Sequence, residues 1–208
     1  MFFLVTGASG VGKSTVRRLI EPEFAGVLDV VELGMLGGTP KWEIEWRHRM
    51  VERAVRRALD AARHGEYFLL CGDPVPPGEV WAAPSAAELD RLEVCLLDAR
   101  EAAQTARLLR RGDDAKLIGH HVAFADWMRR HVADHRHRPE VITGGAWSEM
   151  RWERWVGNAA MKTPWSHSSI DTSDRGPAEV AALVSRWIRE KLRDRDRSAM
   201  NPANDRQH

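Results

Sequence analysis

The stretch GASGVGKS at residues 7–14, called the glycine-rich loop below, fits the pattern G-x-x-x-x-G-K-[ST] and decides the fold. An apolar run at residues 2–6 (FFLVT) precedes it and predicts a strand. Residues 13–20 carry apolar side chains at helical spacing, and Pro22 predicts the end of that helix. Between a strand and a helix, such a loop is predicted to hold phosphate oxygens on its backbone N–H groups.

Each residue type in this loop has a chemical reason. Glycines let the backbone curl so that successive N–H groups point inward. Lys13 supplies a mobile positive charge for the β and γ phosphates of a nucleotide, and the Ser14 hydroxyl suits a Mg²⁺ ligand. A glycine-rich turn that binds nothing would need neither residue. The residues predicted to bind the nucleotide are Gly7, Ala8, Ser9, Gly10, Val11, Gly12, Lys13, Ser14 and Thr15.

Short apolar runs alternate with helix-like stretches along the rest of the chain, which is typical of an α/β fold with a mostly parallel sheet. The further strands are predicted at residues 26–33, 67–71, 92–97 and 168–172. Helices are predicted over residues 42–59, 100–111 and 177–192. Loops are expected at 74–78 and 81–86, and two or three helices within 112–165 are expected to cover the sheet.

Composition limits the classes of protein that fit. The 208 residues suit one domain, and 43% hydrophobic residues suffice for a core. A net charge of +1 offers no global reason to expect nucleic acid or an anionic membrane as a partner. Cys71 and Cys95 lie in apolar runs, which argues against a disulfide framework. No signal peptide or membrane-spanning run is visible, so a cytoplasmic location is expected.

The chain resembles the nucleoside and nucleotide kinase superfamily of small P-loop kinases, which includes adenylate, gluconate and shikimate kinases and chloramphenicol phosphotransferase. The resemblance covers about residues 1–112 and 168–192 and is most specific at GASGVGKS. It implies an α/β P-loop NTPase three-layer sandwich with a five-stranded, mostly parallel sheet and a helical lid. It also implies one domain over 1–193, a lid and acceptor-binding insert at about 107–165, and ATP and Mg²⁺ as cofactors. Residues 194–208 are expected to be a disordered tail.

Glu32 stands near the end of the second predicted strand, GVLDVVEL. In several kinases of this superfamily an acidic residue at that point receives the proton of the acceptor hydroxyl or orients the hydroxyl. The resemblance therefore makes Glu32 the candidate general base and acceptor contact, although those kinases usually carry Asp there. Strand alternation places Asp29 on the opposite face. The alternative is a carboxylate that points into solvent.

Residues 97–113 look like the strand and lid segment of these kinases. Arg107 and Arg111 are four apart, so on a helix they share a face and both guanidinium groups can reach one phosphate cluster. Both are therefore candidate catalytic residues, whereas Arg110 points elsewhere. The alternative is a solvated basic helix end, which the helix dipole favours.

Two further residues are candidates for the acceptor side. Asp73 follows the third predicted strand and either holds Mg²⁺ through a water, together with Ser14, or caps the turn that begins at Pro74. Whether Glu32 or Asp73 is the base stays open. Arg47 lies in the region that clamps the phosphoryl acceptor in nucleotide kinases, as does Arg49, and the alternative is a surface helix rich in arginine.

The segment 112–165 is rich in histidine and tryptophan. His131 and His135 are four apart and could share a metal, but Cys partners are lacking and arginines are close, so a surface helix is the preferred interpretation. The chain has nine tryptophans, several beside charged residues, which a flat acceptor could use. Core packing is the preferred interpretation for most of them.

These observations predict an ATP-dependent kinase that transfers a γ-phosphoryl group to a hydroxyl or phosphate of a nucleoside- or nucleotide-like acceptor. An antibiotic-, sugar- or amino-acid-type hydroxyl acceptor is the alternative, followed by a polynucleotide-end kinase, which the net charge does not support. A nucleotide-binding ATPase without kinase activity is disfavoured because the N-K-x-D guanine-reading motif is missing and a lid is predicted. The expected partner is a small molecule, without a membrane or nucleic acid, and the oligomeric state stays open.

Overall fold

Five parallel strands form the centre of the structure, in the order β2-β3-β1-β4-β5. The structure is a computed structural model that describes residues 1–37, 43–158 and 160–200. The strands are β1 (Phe2–Thr6), β2 (Leu28–Val31), β3 (Tyr67–Cys71), β4 (Leu92–Asp98) and β5 (Ser166–Asp171). The α/β class and the strand in front of the glycine-rich loop are therefore as predicted.

The helices cover both faces of the sheet, so the fold is a three-layer sandwich. They are α1 (Lys13–Ile20), α2 (Ile44–Arg63), α3 (Pro77–Ala82), α4 (Glu101–Arg111), α5 (Ala115–Ala133), α6 (Glu140–Thr143) and α7 (Pro177–Met200). On β1, Phe2 and Leu4 face a core shared with α2, α3 and α5, whereas Phe3 and Val5 face a second core shared with α1 and α7. Burial on both faces explains why β1 and β3 are continuous apolar runs.

The alternation of β2 is the one that the sequence predicts. Val31 belongs to the core on the α2 side and Val30 to the core on the α1 side. Asp29 faces α2, where it accepts hydrogen bonds of 2.6 and 2.8 Å from Arg57. Glu32 follows the last strand residue and therefore lies at the carboxyl end of β2.

Two expectations about local structure were wrong. The stretch 74–86 is not all loop, since it contains α3 and part of a 3₁₀ turn at Pro84–Glu88. Each begins with a proline, which suits the first helical position, and Val80 and Ala82 are buried. α7 also continues to Met200, so residues 194–200 of the expected tail are helical. Residues 201–208, like Trp42 at the predicted start of α2, lie outside the described residues.

The segment 112–165 forms α5, α6 and a 3₁₀ turn at Trp152–Arg154. Trp127 of α5 and the later Trp155 and Trp165 belong to the core on the α2 side, as expected for packing residues. Among the described residues, no helix combines the length and apolar character needed to cross a membrane.

His131 corrects the prediction of a surface helix with exposed histidines. It is fully buried, as is His135, and its ring stacks on Trp127 with centroids 4.7 Å apart. The rings of Trp155 and Trp165 lie 5.5 and 5.6 Å from it. Within the described part of the chain, no group of three or more His, Cys, Asp or Glu side chains is placed to hold a metal ion.

We expect the buried His131 to make stability fall in mild acid. Burial lowers its pKa from 6.5 to about 4, so the unfolded chain takes up a proton that the folded protein excludes. The free energy of unfolding is therefore highest above the pKa that His131 has in the unfolded chain, and it falls as the pH approaches the pKa in the folded protein. The expected decrease is about 2 kcal/mol between about pH 7 and about pH 5. Urea unfolding at both pH values measures it.

The variant His131→Phe should keep the aromatic packing and lose most of this pH dependence. His120→Gln is the control, because His120 is exposed on the same helix and should leave the dependence unchanged. An equal pH dependence in His131→Phe and in the unmodified protein would contradict the prediction.

Candidate active site

A cleft of about 740 Å³ opens at the carboxyl ends of β1, β2 and β3. This is the edge at which open α/β sheets bind their ligands. The cleft is lined by Ser9, Gly10, Gly12, Lys13, Ser14, Thr15, Arg18, Glu32, Gly34, Trp46, Gly72, Asp73, Pro74, Arg107 and Arg111. The fold therefore brings together side chains from the glycine-rich loop, from the ends of β2 and β3, and from α2 and α4.

The glycine-rich loop turns sharply between β1 and α1. At Gly7 the backbone φ is 141°, and a Cβ there would lie 2.1 Å from the carbonyl oxygen of Leu97, so no other residue fits. Gly12 precedes α1 with φ 98° and ψ 10°, a left-handed conformation that glycine adopts without strain. Glycine is therefore required at position 7 by the close approach of the Leu97 backbone and is favoured at position 12 by the left-handed turn.

Lys13 begins α1 and is almost completely buried, with 5% of its surface exposed. Its Nζ donates a hydrogen bond of 2.8 Å to the carbonyl oxygen of Ala8 in the same loop. Burial lowers the pKa of Lys13 to about 8, although the nearby Asp73 carboxylate favours the charged form. A desolvated cation whose hydrogen bond within the described structure goes to a backbone oxygen is suited to an anionic ligand.

Asp73 and Ser14 both lie next to Gly72, which follows the last residue of β3. The Ser14 hydroxyl donates a long hydrogen bond of 3.4 Å to the Gly72 carbonyl. Asp73 Oδ2 accepts a hydrogen bond of 2.7 Å from the backbone N–H of Leu33, which ties the ends of β2 and β3 together. Burial raises the pKa of the Asp73 carboxyl, and this hydrogen bond acts in the opposite direction.

Glu32 is not a freely solvated carboxylate. Its side chain is 33% exposed, lines the cleft, and has Oε2 3.5 Å from Nε of Arg17. A Cβ on Gly72 would lie 2.8 Å from the Glu32 Cβ and 2.5 Å from its Oε2. Gly72, with φ 143°, therefore leaves the space that Glu32 occupies.

Arg107 and Arg111 of α4 both line the cleft, as their spacing indicates. The residues that follow β5 position Arg107, because it donates a hydrogen bond of 2.9 Å to the Thr172 hydroxyl and one of 3.2 Å to the Ser173 carbonyl. Arg111 Nε donates 2.7 Å to Asp113. From the predicted lid and insert at 107–165, these two arginines are the described residues that line the cleft.

Arg47 does not line the cleft. Its Nε donates 2.9 and 3.1 Å to the two carboxylate oxygens of Glu79 in α3, which is fully buried. His48 Nε2 lies 3.4 Å from the same carboxylate. Although burial raises the pKa of Glu79, Arg47 and His48 hold it below its ordinary value. Sequence reasoning missed Glu79 because its stretch is too short for a periodic pattern.

Trp46 lines the same cleft as Glu32 and Asp73, so one of the tryptophans that stand beside a charged residue in the sequence faces the cleft. Thr172 and Asp113 were also missed as partners of the α4 arginines. Asp113 had a local signal, because it follows Arg111 by two positions. No local sequence signal links Thr172 to Arg107, since the two residues lie 65 positions apart.

No protein-family model matches the chain, and no curated protein is significantly similar to it in sequence. Among solved structures it is similar to a sugar kinase from Janibacter sp. HTCC2649, with 14% identity, 90% of this chain and 93% of that chain covered, and a TM-score of 0.54. An uncharacterized protein from Eubacterium ventriosum ATCC 27560 has 10% identity, coverage of 90% and 98%, and a TM-score of 0.48. A kinase candidate from Chloroflexus aurantiacus J-10-fl has 12% identity, coverage of 93% and 96%, and a TM-score of 0.47. The chain thus has the α/β fold of the Janibacter sugar kinase, with a five-stranded parallel sheet between two layers of helices.

Proposed function

We propose that the protein is an ATP-dependent kinase that transfers the γ-phosphoryl group to a small-molecule acceptor. The observation that carries the proposal is one cleft in which Lys13 and Ser14 of the glycine-rich loop meet the carboxylates of Glu32 and Asp73 and the guanidinium groups of Arg107 and Arg111. Phosphoryl transfer requires positioning and charge stabilisation more than covalent chemistry, and this set of side chains supplies both.

The residues present fit ATP and Mg²⁺. The backbone of residues 7–15 would hold the phosphates, and Lys13 would exchange its contact with the Ala8 carbonyl for a phosphate oxygen. The weakly bonded Ser14 hydroxyl and Asp73, at the end of β3, would hold Mg²⁺. Bound together, ATP and Mg²⁺ supply the phosphoryl group and part of the charge that neutralises it.

The protein's own side chains have distinct roles in this proposal. Lys13, Arg107 and Arg111 stabilise the charge that spreads over the transferred group. Glu32 orients the acceptor hydroxyl or receives its proton, and Arg17 keeps the carboxylate at the edge of the cleft.

The test is ADP formation from ATP and Mg²⁺ in the presence of candidate acceptors, with nucleosides, nucleotides, sugars, amino acids and hydroxyl-bearing antibiotics each included. The proposal expects one class to raise ADP release above the rate of the protein alone, with a phosphorylated acceptor identified by mass spectrometry. ADP release that every acceptor leaves unchanged, with phosphate as the second product, would identify an ATPase instead.

We expect Arg107→Ala and Arg111→Ala each to lower turnover by about tenfold or more, because one charge-assisted contact contributes about 1.5 to 3 kcal/mol. Turnover is measured at saturating ATP, and melting temperatures show whether the loss of the Arg107–Thr172 contact disturbs folding. Arg130→Ala is the matched control, since Arg130 is an exposed arginine of α5 that lines neither this cleft nor the neighbouring cavity beside Gly12 and Thr15. Wild-type rates in both single variants would show that the basic helix is ordinary surface.

A further inference from the structure

The two walls of the cleft differ in charge. The glycine-rich loop and α4 contribute the cations Lys13, Arg107 and Arg111. The opposite wall, formed by the ends of β2 and β3 and by α2, contributes Glu32, Gly34, Trp46, Asp73 and Pro74. If ATP phosphates lie on the glycine-rich loop, the acceptor must meet this second wall, which carries two carboxylates and an indole ring.

Each arginine of α2 has a partner, and none of them lines the cleft. Four of them form ion pairs with carboxylates: Arg47 with Glu79, Arg49 with Glu45, Arg56 with Glu52 and Arg57 with Asp29. Arg53 donates a hydrogen bond of 3.0 Å to the Leu36 carbonyl. Arg63, in the last turn of the helix, is 3.8 Å from Asp60. The helix that forms the acceptor wall therefore presents Trp46 to the cleft and no guanidinium group.

Arg47 cannot be released to the cleft at low cost. Its partner Glu79 has no exposed surface, and Arg47 itself is only 25% exposed. Breaking the pair would leave a buried carboxylate with the His48 ring as its remaining polar neighbour, and an uncompensated buried charge is strongly destabilising. Arg47, the predicted contact for a phosphate-bearing acceptor, is thus fixed in the core by its pair with Glu79.

Among the described residues, the other cations near the acceptor wall come from α1. Arg17 is bound by Glu21 at 2.7 Å and faces Glu32 at 3.5 Å. Arg18 lines the cleft, and its Nε donates 3.2 Å to the Ser14 carbonyl of its own helix. With Asp73 assigned to Mg²⁺ and Glu32 facing Arg17, an anionic acceptor would find Arg18 as the one cation of the described residues at this wall without a carboxylate partner, and would meet the Glu32 carboxylate as a like charge.

We propose that the acceptor is a hydroxyl compound without an anionic group, either neutral or bearing an amine, that packs its ring or carbon face on Trp46. The inference rests on the proposed kinase function. The acceptor oxygen attacks the γ-phosphorus, the bond from that phosphorus to the bridging oxygen breaks, and ADP leaves with the bond electrons. The hydroxyl proton passes to Glu32 or to water. Apolar and cation–π contact with an indole suits sugar, amino-sugar and amino-alcohol chemistry.

Matched acceptor pairs test the proposal. Glucose is compared with glucose 6-phosphate, adenosine with AMP, and glucosamine and serinol are added as amines, each with ATP and Mg²⁺. We expect at least one non-anionic compound to raise ADP release, and its phosphorylated partner to raise it at least about tenfold less. The proposal is overturned if a phosphorylated member is the better acceptor, or if no non-anionic member has any effect.

Two further measurements separate this outcome from failure of the kinase proposal. Calorimetric binding of ATP with Mg²⁺, lost in Lys13→Ala, tests the nucleotide site independently of any acceptor. If ATP binds and a phosphorylated acceptor reacts, the kinase proposal stands and the acceptor inference fails. Loss of that reaction in Arg18→Gln would then show that Arg18 binds the anionic group. If ATP does not bind, the kinase proposal itself fails.

Trp46 supplies a positive test of the same inference. With the best non-anionic acceptor, Trp46→Ala should raise the acceptor KM by roughly tenfold and leave the ATP KM unchanged, whereas Trp46→Phe should restore most of the loss. Because Trp46 also packs against the core, melting temperatures of both variants are compared. An unchanged acceptor KM in a folded Trp46→Ala protein contradicts the proposed stacking.

Discussion

Lys13→Ala is expected to lower turnover by about 100-fold to 1,000-fold or more while the protein stays folded. Lys13 begins α1, is buried at the glycine-rich loop and donates a hydrogen bond to the Ala8 carbonyl. We therefore expect this positive charge to contribute little to folding. Its role is to stabilise the negative charge on the transferred phosphoryl group, which is largest in the transition state. Turnover with an acceptor identified by the ADP assay is the measurement, with circular dichroism as the check on folding.

Lys116→Ala is the matched control, because Lys116 is exposed on α5 and does not line the cleft. The pH profile adds a second observation. Since burial lowers the pKa of Lys13 to about 8, the nucleotide-free protein loses this charge above that pH, and ATP affinity should fall there. Full turnover in Lys13→Ala would remove Lys13 from the catalytic set.

Glu32→Gln is expected to lower turnover by about 100-fold or more with little change in ATP affinity, because general base catalysis contributes about that much. The amide keeps the shape of the side chain and one acceptor oxygen but cannot take a proton. The carboxylate is held at the carboxyl end of β2 by Arg17 and by the space beside Gly72. Steady-state kinetics with acceptor and ATP varied separately provides the measurement.

Asp29→Asn is the control for Glu32→Gln, since Asp29 lies on the other face of β2 and pairs with Arg57 of α2. It should cost some stability and leave turnover unchanged. If Asp29→Asn stops transfer and Glu32→Gln does not, Glu32 is not the base. If neither variant affects transfer, Asp73 becomes the candidate to test next.

Much of the fold follows from local patterns. Continuous apolar runs such as residues 67–71 predict strands buried on both faces, and the structure has such a strand there. α3 escaped prediction because it has six residues, fewer than two helical turns, so no periodic signal builds up. The burial of His131 also escaped, since a histidine on an irregular stretch is compatible with a surface helix until the tryptophans packed around it are known.

The sequence by itself determined the glycine-rich loop between β1 and α1, because glycine positions, Lys13 and Ser14 act over a few neighbouring residues. It also determined that Arg107 and Arg111 share a helix face, since spacing alone sets that relation. Only the tertiary structure decided which charges meet. Arg47 reaches Glu79 across 32 positions and Arg107 reaches Thr172 across 65, and a guanidinium group pairs with whichever acceptor the packing of distant elements brings within reach.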